Sequence, residues 1–375
     1  MNNHILPLCL LAATLHGTAL SAQELSAEQA PAAVPTGLKA KVKRTFGQVF
    51  NQVFSEVDST YIADNRYNLA FMLEQSFWGE KYRMSAHREG ELQRISFAPD
   101  VTPKIGVYFG WRWIFLGVAF NTSDLMGKNK NEATKKEFVL NLYSSRFGID
   151  LYYRKTGNDF HISSYKNFDL PTDYVGQDFK GFESTVKGLN IYWIFNNRKF
   201  SYPAAYSQST NQRVSCGSFM AGFSYSNHKI GFDYTLLPAD MVANMDESLK
   251  FNNLQFNDYN LSFGYGYNWV FAKNCLFNLS LMPALSYKKA RINGLPANAD
   301  TQWRSWVNNL NVDLTTRAGL TWNNSKYFVG ASLYINTYYY HRKELVMTNS
   351  FGGLRIYSGF NFWKKRQYRG EEAGK

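Results

Sequence analysis

The stretch from Asp258 to Lys288 constrains the fold more than any other part of the chain. Read in steps of two, one side carries Tyr259, Leu261, Phe263, Tyr265, Tyr267, Trp269 and Phe271. The other carries Asn260, Ser262, Gly264, Gly266, Asn268 and Val270. After Ala272-Lys273-Asn274 the alternation restarts, with Phe277, Leu279, Leu281, Leu285 and Tyr287 on one side. Asn278, Ser280, Ala284, Ser286 and Lys288 take the other side. Successive strand residues point to opposite faces, so the segment predicts two long strands, each with one apolar and one polar face. Strands of soluble domains usually run about 5–6 residues. A lipid-facing barrel strand needs roughly 9–11 tilted residues, apolar outward and polar inward, with aromatic rings near its ends. The hairpin therefore predicts an all-β fold, a transmembrane antiparallel β-barrel.

Composition narrows the alternatives. Aromatic residues make up 17% of the chain and charged residues 19%, yet mean hydropathy is −0.36. Strands that are apolar on one side only produce that combination, whereas a helical membrane protein does not. Beyond the N-terminus there is no apolar run of about 18 residues. The net charge is +12, but the dense basic clusters flank the barrel: Lys39, Lys41, Lys43 and Arg44 before it, Lys364, Lys365, Arg366 and Arg369 after it. Nucleic-acid binding would gather them on one element; anionic headgroups or a wet rim explain them better. The expected partners are outer-membrane lipid, the barrel assembly machinery during biogenesis and a small solute, with no nucleic acid.

Residues 1–22 read as a cleaved signal peptide, with an apolar core from Ile5 to Leu15 and small residues at Ala19, Ser21 and Ala22. Residues 23–37 read as a disordered leader. Over 38–57, apolar residues recur at three and four (Leu38, Val42, Phe46, Val49, Phe50, Val53), as in a short amphipathic helix. The barrel is expected over 58–364, and a basic C-terminal tail over 365–375. Strand-like segments fall at 67–77, 103–111, 114–123, 136–144, 147–156, 184–195, 199–206, 217–226, 229–237, 258–271, 275–288, 306–321, 326–340 and 353–363. A short hairpin is expected in 80–102. Short turns are expected at 112, 145, 196, 228, 273 and 324, and long loops at 124–135, 157–183, 238–257, 289–305 and 341–352. Short turns at one end and long loops at the other are the outer-membrane pattern. This gives about 12–14 strands, the lower number if 199–206, weakened by Pro203, is not a strand. The final segment ends on Trp363, which resembles the aromatic-terminated assembly signal of outer-membrane barrels.

An ionisable group inside a membrane segment is costly unless paired or wet. Parity places Glu74, Asp150, Arg154, Asp233, Asp313, Arg317 and Arg355 on inward faces. Such a set makes either a charged constriction with a small-solute site or an ion-pair network that fills the lumen. For catalysis, His161 and His341 sit at expected loop positions, with Asp159, Ser163 and Ser164 near His161, but no spacing motif links them. There is no zinc spacing, phosphate-cradling loop or dinucleotide fingerprint, so no metal or cofactor is expected. Cys216 and Cys275 are expected at opposite rims as free thiols.

Several blocks resemble the outer-membrane barrels of Bacteroidota described as domain of unknown function 4421. They are YFGWRWIFLG at 108–117, DLYYRKTGNDF at 150–160, IFNNRKFSYPAAYSQSTNQRVSCGSF at 194–219 and FDYTLLP at 232–238, with the opening hairpin. The likeness covers about Asp58 to Trp363. It implies an outer-membrane barrel of unassigned activity and supplies no catalytic residues. Function then divides into a pore or small-ligand barrel, a barrel hydrolase with a loop site, and a structural or interaction barrel of the envelope.

Overall fold

The structure, a computed structural model, describes residues 57–88, 90–111, 114–122, 136–157, 159–293, 309–342 and 345–369. The expected signal peptide, leader and amphipathic helix lie outside the described residues, apart from Val57.

Among the described residues, twelve strands follow one another around the barrel, antiparallel wherever they pair. They are β2 (Tyr67–Arg88), β4 (Thr102–Trp111), β5 (Ile114–Asn121), β6 (Lys136–Tyr143), β7 (Phe147–Gly157), β10 (Phe182–Ile194), β12 (Cys216–Phe232), β13 (Asn253–Ala272), β14 (Cys275–Asn293), β15 (Leu310–Asn323), β16 (Tyr327–Arg342) and β17 (Leu345–Lys364). The last closes on the first, with Lys364 opposite Tyr67 and Val346 opposite Ser85. Only β5 and β6 share no hydrogen-bonded register among the described residues. Lys104 of β4 bonds Glu137 of β6 at 2.5 Å across that junction. Five further strands lie among the described residues: β1 (Ile62–Asp64), β3 (Glu91–Pro99), β8 (Phe160–Lys166), β9 (Asp178–Phe179) and β11 (Thr210–Gln212).

The lower of the two expected strand numbers is the one found. The 199–206 segment is no strand; it holds a one-turn helix, α1 (Pro203–Tyr206), because proline suits a first helical turn and not a ladder. The expected segments 217–226 and 229–237 merge into one strand, β12, with no turn at 228 and an end at Phe232. Residues 345–352 belong to β17 instead of a loop, and 253–257 belong to β13. Within the expected 157–183 loop run β8 and β9. Cys216 and Cys275 are both free, but they lie at the same end, since β12 crosses the whole barrel. One strand separates them and their registers are three residues apart, a gap of about 14 Å.

Outward faces carry the hydrophobic belt. Phe219, Phe263, Leu281, Leu320, Val329 and Ile356 are all exposed. At the short-turn end the belt closes on Trp111, Trp193, Trp269, Trp322 and Trp363. Toward the long-loop end the register aligns Leu189, Tyr225, Tyr259 and Tyr287 on neighbouring strands. Amphipathic rings at both edges of an apolar band are the girdles of a membrane-spanning barrel. Inside, Gly264 lies so close to β14 that a Cβ would sit 2.0 Å from the Leu281 carbonyl oxygen.

Above the tyrosine row the strands continue, and the polarity of both faces inverts. On β13 the inward side passes from Asn260 and Asp258 to Phe256 and Leu254; the outward side passes from Leu261 and Tyr259 to Asn257 and Gln255. On β2 the inward side passes from Glu74 and Glu80 to Tyr82, Met84 and Ala86. These apolar residues form one core with Phe97, Phe160, Phe182, Phe232, Phe251 and Met347. Helix α2 (Ala239–Ala243) buries Met241 in it. The barrel thus carries a folded head, with its own core, at the long-loop end.

Candidate functional site: the filled lumen

The lumen is built in tiers. At the short-turn end, the connection from β10 to β12 folds inward. Phe200, Tyr202, Ala205 and Gln208 are all buried. The strand walls hold this plug by name: the Tyr206 hydroxyl donates to Asn278 Oδ1 at 2.6 Å, and Tyr202 and Ser280 hydroxyls pair at 2.8 Å. Gln208 Nε2 donates to the Tyr357 hydroxyl at 2.8 Å, and Asn268 Nδ2 to Gln212 Oε1 at 2.9 Å. Its end pairs with β1 as a two-stranded sheet, Ile62 opposite Gln212. Just before β1, outside the membrane, hydrogen bonds from the Thr60 hydroxyl and N–H hold the Asp58 carboxyl below the usual range.

The middle tiers are ionic. Arg355 on β17 donates through Nε to Glu74 Oε2 on the neighbouring β2 at 2.9 Å. Arg317 on β15 reaches across to Asp150 on β7 and to the Tyr143 hydroxyl at 3.1 Å. Asn190 Nδ2 donates to the same carboxylate at 3.1 Å. Arg154 on β7 pairs with Glu137 at 3.1 Å and bonds the hydroxyl of Tyr334 on β16. Those two strands are six places apart by either route, so these side chains span the full bore. Arg154 also lies over Phe351 at 4.6 Å and Trp78 at 5.0 Å. Nearest the head, Lys288 is fully buried between Asp258 at 2.7 Å and Asp313 at 2.6 Å, with Ser286 Oγ at 2.7 Å. Buried ions persist only where partners replace lost water, and each here has one.

Six of the seven residues picked by parity point inward into these tiers: Glu74, Asp150, Arg154, Asp313, Arg317 and Arg355. Asp233 does not. β12 ends at Phe232, and Asp233 caps the following 3-10 turn by accepting from Thr235 N at 3.1 Å, exposed to solvent. By its number it continues the outward face of Lys229 and Gly231, because the inward side of β12 there is Ile230 and Phe232. Lys288 and Asp258 were missed as charged lumen residues, although they continue inward faces already evident from Ser286 and Asn260. Glu80 and Glu137 were missed too; Glu80 lies beyond the point where the sequence reading ended its strand.

The tiers leave little space. The enclosed cavity beside Asp313, Asn260 and Thr315 measures about 20 Å³, room for about one water. A larger apolar groove of about 360 Å³ lies on the outside, between Tyr265, Trp269, Phe277 and Leu281. Catalytic geometry is poor. His161 Nδ1 lies 3.7 Å from Asp100 Oδ1, beyond hydrogen-bond reach, and Ser163 Oγ donates to the Ser96 carbonyl oxygen. His341 is exposed, and its backbone N–H bonds Asn311. Ser226 and His228 are 2.9 Å apart but sealed, with His228 stacked on Phe256. Among the described residues no cluster of three His, Cys, Asp or Glu side chains is placed to hold a metal ion.

An apolar belt outside, two girdles and a packed polar lumen define a membrane-spanning antiparallel β-barrel. The chain belongs to the family described as domain of unknown function (DUF4421), whose model matches residues 56–362. No curated protein matches it. Among solved structures it is similar to the outer membrane protease OmpT of Escherichia coli, at 8% identity over 80% of this chain and 98% of that one, TM-score 0.35. It is also similar to the translocator domain of autotransporter NalP from Neisseria meningitidis, at 10% identity over 86% and 97%, TM-score 0.28. The outer membrane protein OprG of Pseudomonas aeruginosa gives 9% identity over 80% and 99%, TM-score 0.21. Likenesses of this size say nothing of activity.

Proposed function

We propose that the protein is a closed barrel of the outer membrane of a Gram-negative cell of the Bacteroidota, and that it serves as a structural and interaction barrel rather than a pore. In this reading a signal peptide exports the chain, the barrel assembly machinery inserts it, and the long-loop end faces outward with its folded head. The observation that carries the reading is occupancy of the lumen from end to end: plug, ion-pair tiers, then aromatic core. A conducting pore needs a continuous water path, and a ligand pocket typically needs about 300 Å³ or more; the enclosed cavity beside Asp313 holds about 20 Å³. What remains for function is the surface of the head and rim. Planar-bilayer recording of the inserted full chain tests this. The expected trace shows no steady conductance at any holding voltage; stable single-channel steps would reinstate the pore.

A further inference from the structure

Immediately above the tyrosine row, one sector of the outward face becomes basic. The register continues from Leu189, Tyr225, Tyr259 and Tyr287 to Lys187, Asn227, Asn257 and Lys289, two residues along each strand. One step higher, Lys155 and Lys229 flank Thr185. Lys187, Lys229 and Lys289 are exposed. Among the described residues none of these four lysines has a carboxylate partner. Inward-facing cations, by contrast, are paired: Lys288, one residue from Lys289 but facing inward, has two carboxylates. The amides between the lysines are aligned as well. Asn227 Nδ2 and the Tyr225 hydroxyl both donate to Asn257 Oδ1, at 2.8 and 3.1 Å, which leaves the Asn257 Nδ2 hydrogens free to donate outward.

We infer that this sector, Lys187, Lys229 and Lys289 with Asn257 between them, is a binding site for the phosphate groups of a membrane lipid headgroup. The inference rests on the membrane-barrel reading, because the tyrosine row then marks the interface and the lysines stand at headgroup depth. Adjacent strands lie about 4.8 Å apart, so Lys187 and Lys289 stand about 14 Å apart along the row, with Lys229 one pleat pair above. Ammonium groups on flexible stems at that spacing grip a doubly phosphorylated headgroup from both sides, while the acyl chains lie along the belt below. A zwitterionic headgroup, whose own amine opposes the lysines, gains much less.

The test uses the full chain in vesicles of phosphatidylethanolamine, alone or with bisphosphorylated lipid A, and measures co-purified lipid after detergent extraction by native mass spectrometry. Wild type retains lipid A selectively. The variant Lys187→Gln/Lys229→Gln/Lys289→Gln retains it on the order of 100-fold more weakly, while Lys326→Gln, at the other end of the barrel, matches wild type. Equal retention by the triple variant overturns the site alone, provided the heat-modifiable gel shift shows that both proteins are inserted. A chain that fails to insert in any vesicle overturns the barrel reading and the site together. Displacement of lipid A by modest inorganic phosphate overturns the lipid assignment.

Discussion

The same strands do two opposite things along their length. Between the tryptophan and tyrosine girdles, β13 shows lipid Phe263 and Tyr265 and keeps Asn268, Asn260 and Asp258 inside. A few residues further it shows water Asn257 and Gln255 and buries Phe256 and Leu254. Backbone pairing runs through the change without a shift; Ser226 stays opposite Asp258, and Lys229 opposite Gln255. What differs is the solvent. In lipid the apolar face belongs outside, so the interior can be polar if each charge finds a partner. In water the hydrophobic effect acts in the usual direction and draws the apolar face in. The lumen tiers are therefore held by named ion pairs, and the head by packing among rings such as Phe97, Phe182 and Phe232.

That contrast is broken most forcefully at Lys288. Replacing it with Met leaves Asp258 and Asp313 facing one another without a cation, and the expected loss is about 3–5 kcal/mol in urea unfolding of the inserted protein. Adding Asp258→Asn and Asp313→Asn to the same chain should restore most of it. A loss below about 1 kcal/mol for Lys288→Met would mean that water reaches this tier and that the lumen is not dry there.

The next effect reads both solvents on one face of one strand. Phe263→Arg puts a charge in the belt, where it should cost about 2–4 kcal/mol; Gln255→Arg, eight residues away on the same face, should cost about 0–1. Equal costs would place position 263 outside the hydrocarbon layer, or position 255 inside it.

The inversion also explains what was legible in the sequence. Within the belt, fixed parity with fixed polarity identified the strands, the outward residues and six inward charges. Where polarity inverts, the same rule reports an end. The turn expected at 228 falls between the polar inward Ser226 and the apolar inward Ile230, and β12 passes straight through it. The loops expected at 238–257 and 341–352 swallowed the head portions of β13 and β17 for the same reason. Parity itself never failed at these points; only the assumption that the inner face stays polar did. Asp233 errs for the same reason: it shares the parity of outward Lys229, and only an inner face assumed to stay polar would assign it inside. The residues that seat the plug, Asn278, Ser280 and Tyr357, are 72 or more positions distant from it in the chain. No local pattern reports such contacts.

The smallest expected effect sits at the plug, the part that resembles neither solvent regime. It packs apolar groups such as Phe200 and Ala205 against Ile194 and Met220, yet neutral hydrogen bonds seat it in the lumen. Tyr206→Phe removes one hydroxyl and leaves Asn278 Oδ1 without that donor in a buried setting. The cost of one buried acceptor losing its partner is about 1–3 kcal/mol, and the ring packing against Tyr202 at 4.8 Å is retained. The expected result is therefore a modest drop in unfolding midpoint with the bilayer still silent. Several independent bonds seat the segment, Gln208 to Tyr357 and Asn268 to Gln212 among them, so losing one does not release it. If this single hydroxyl instead opened steady conductance, the plug would be a gate balanced on one bond, and the neutral tier would be the moving part of an otherwise charge-locked barrel.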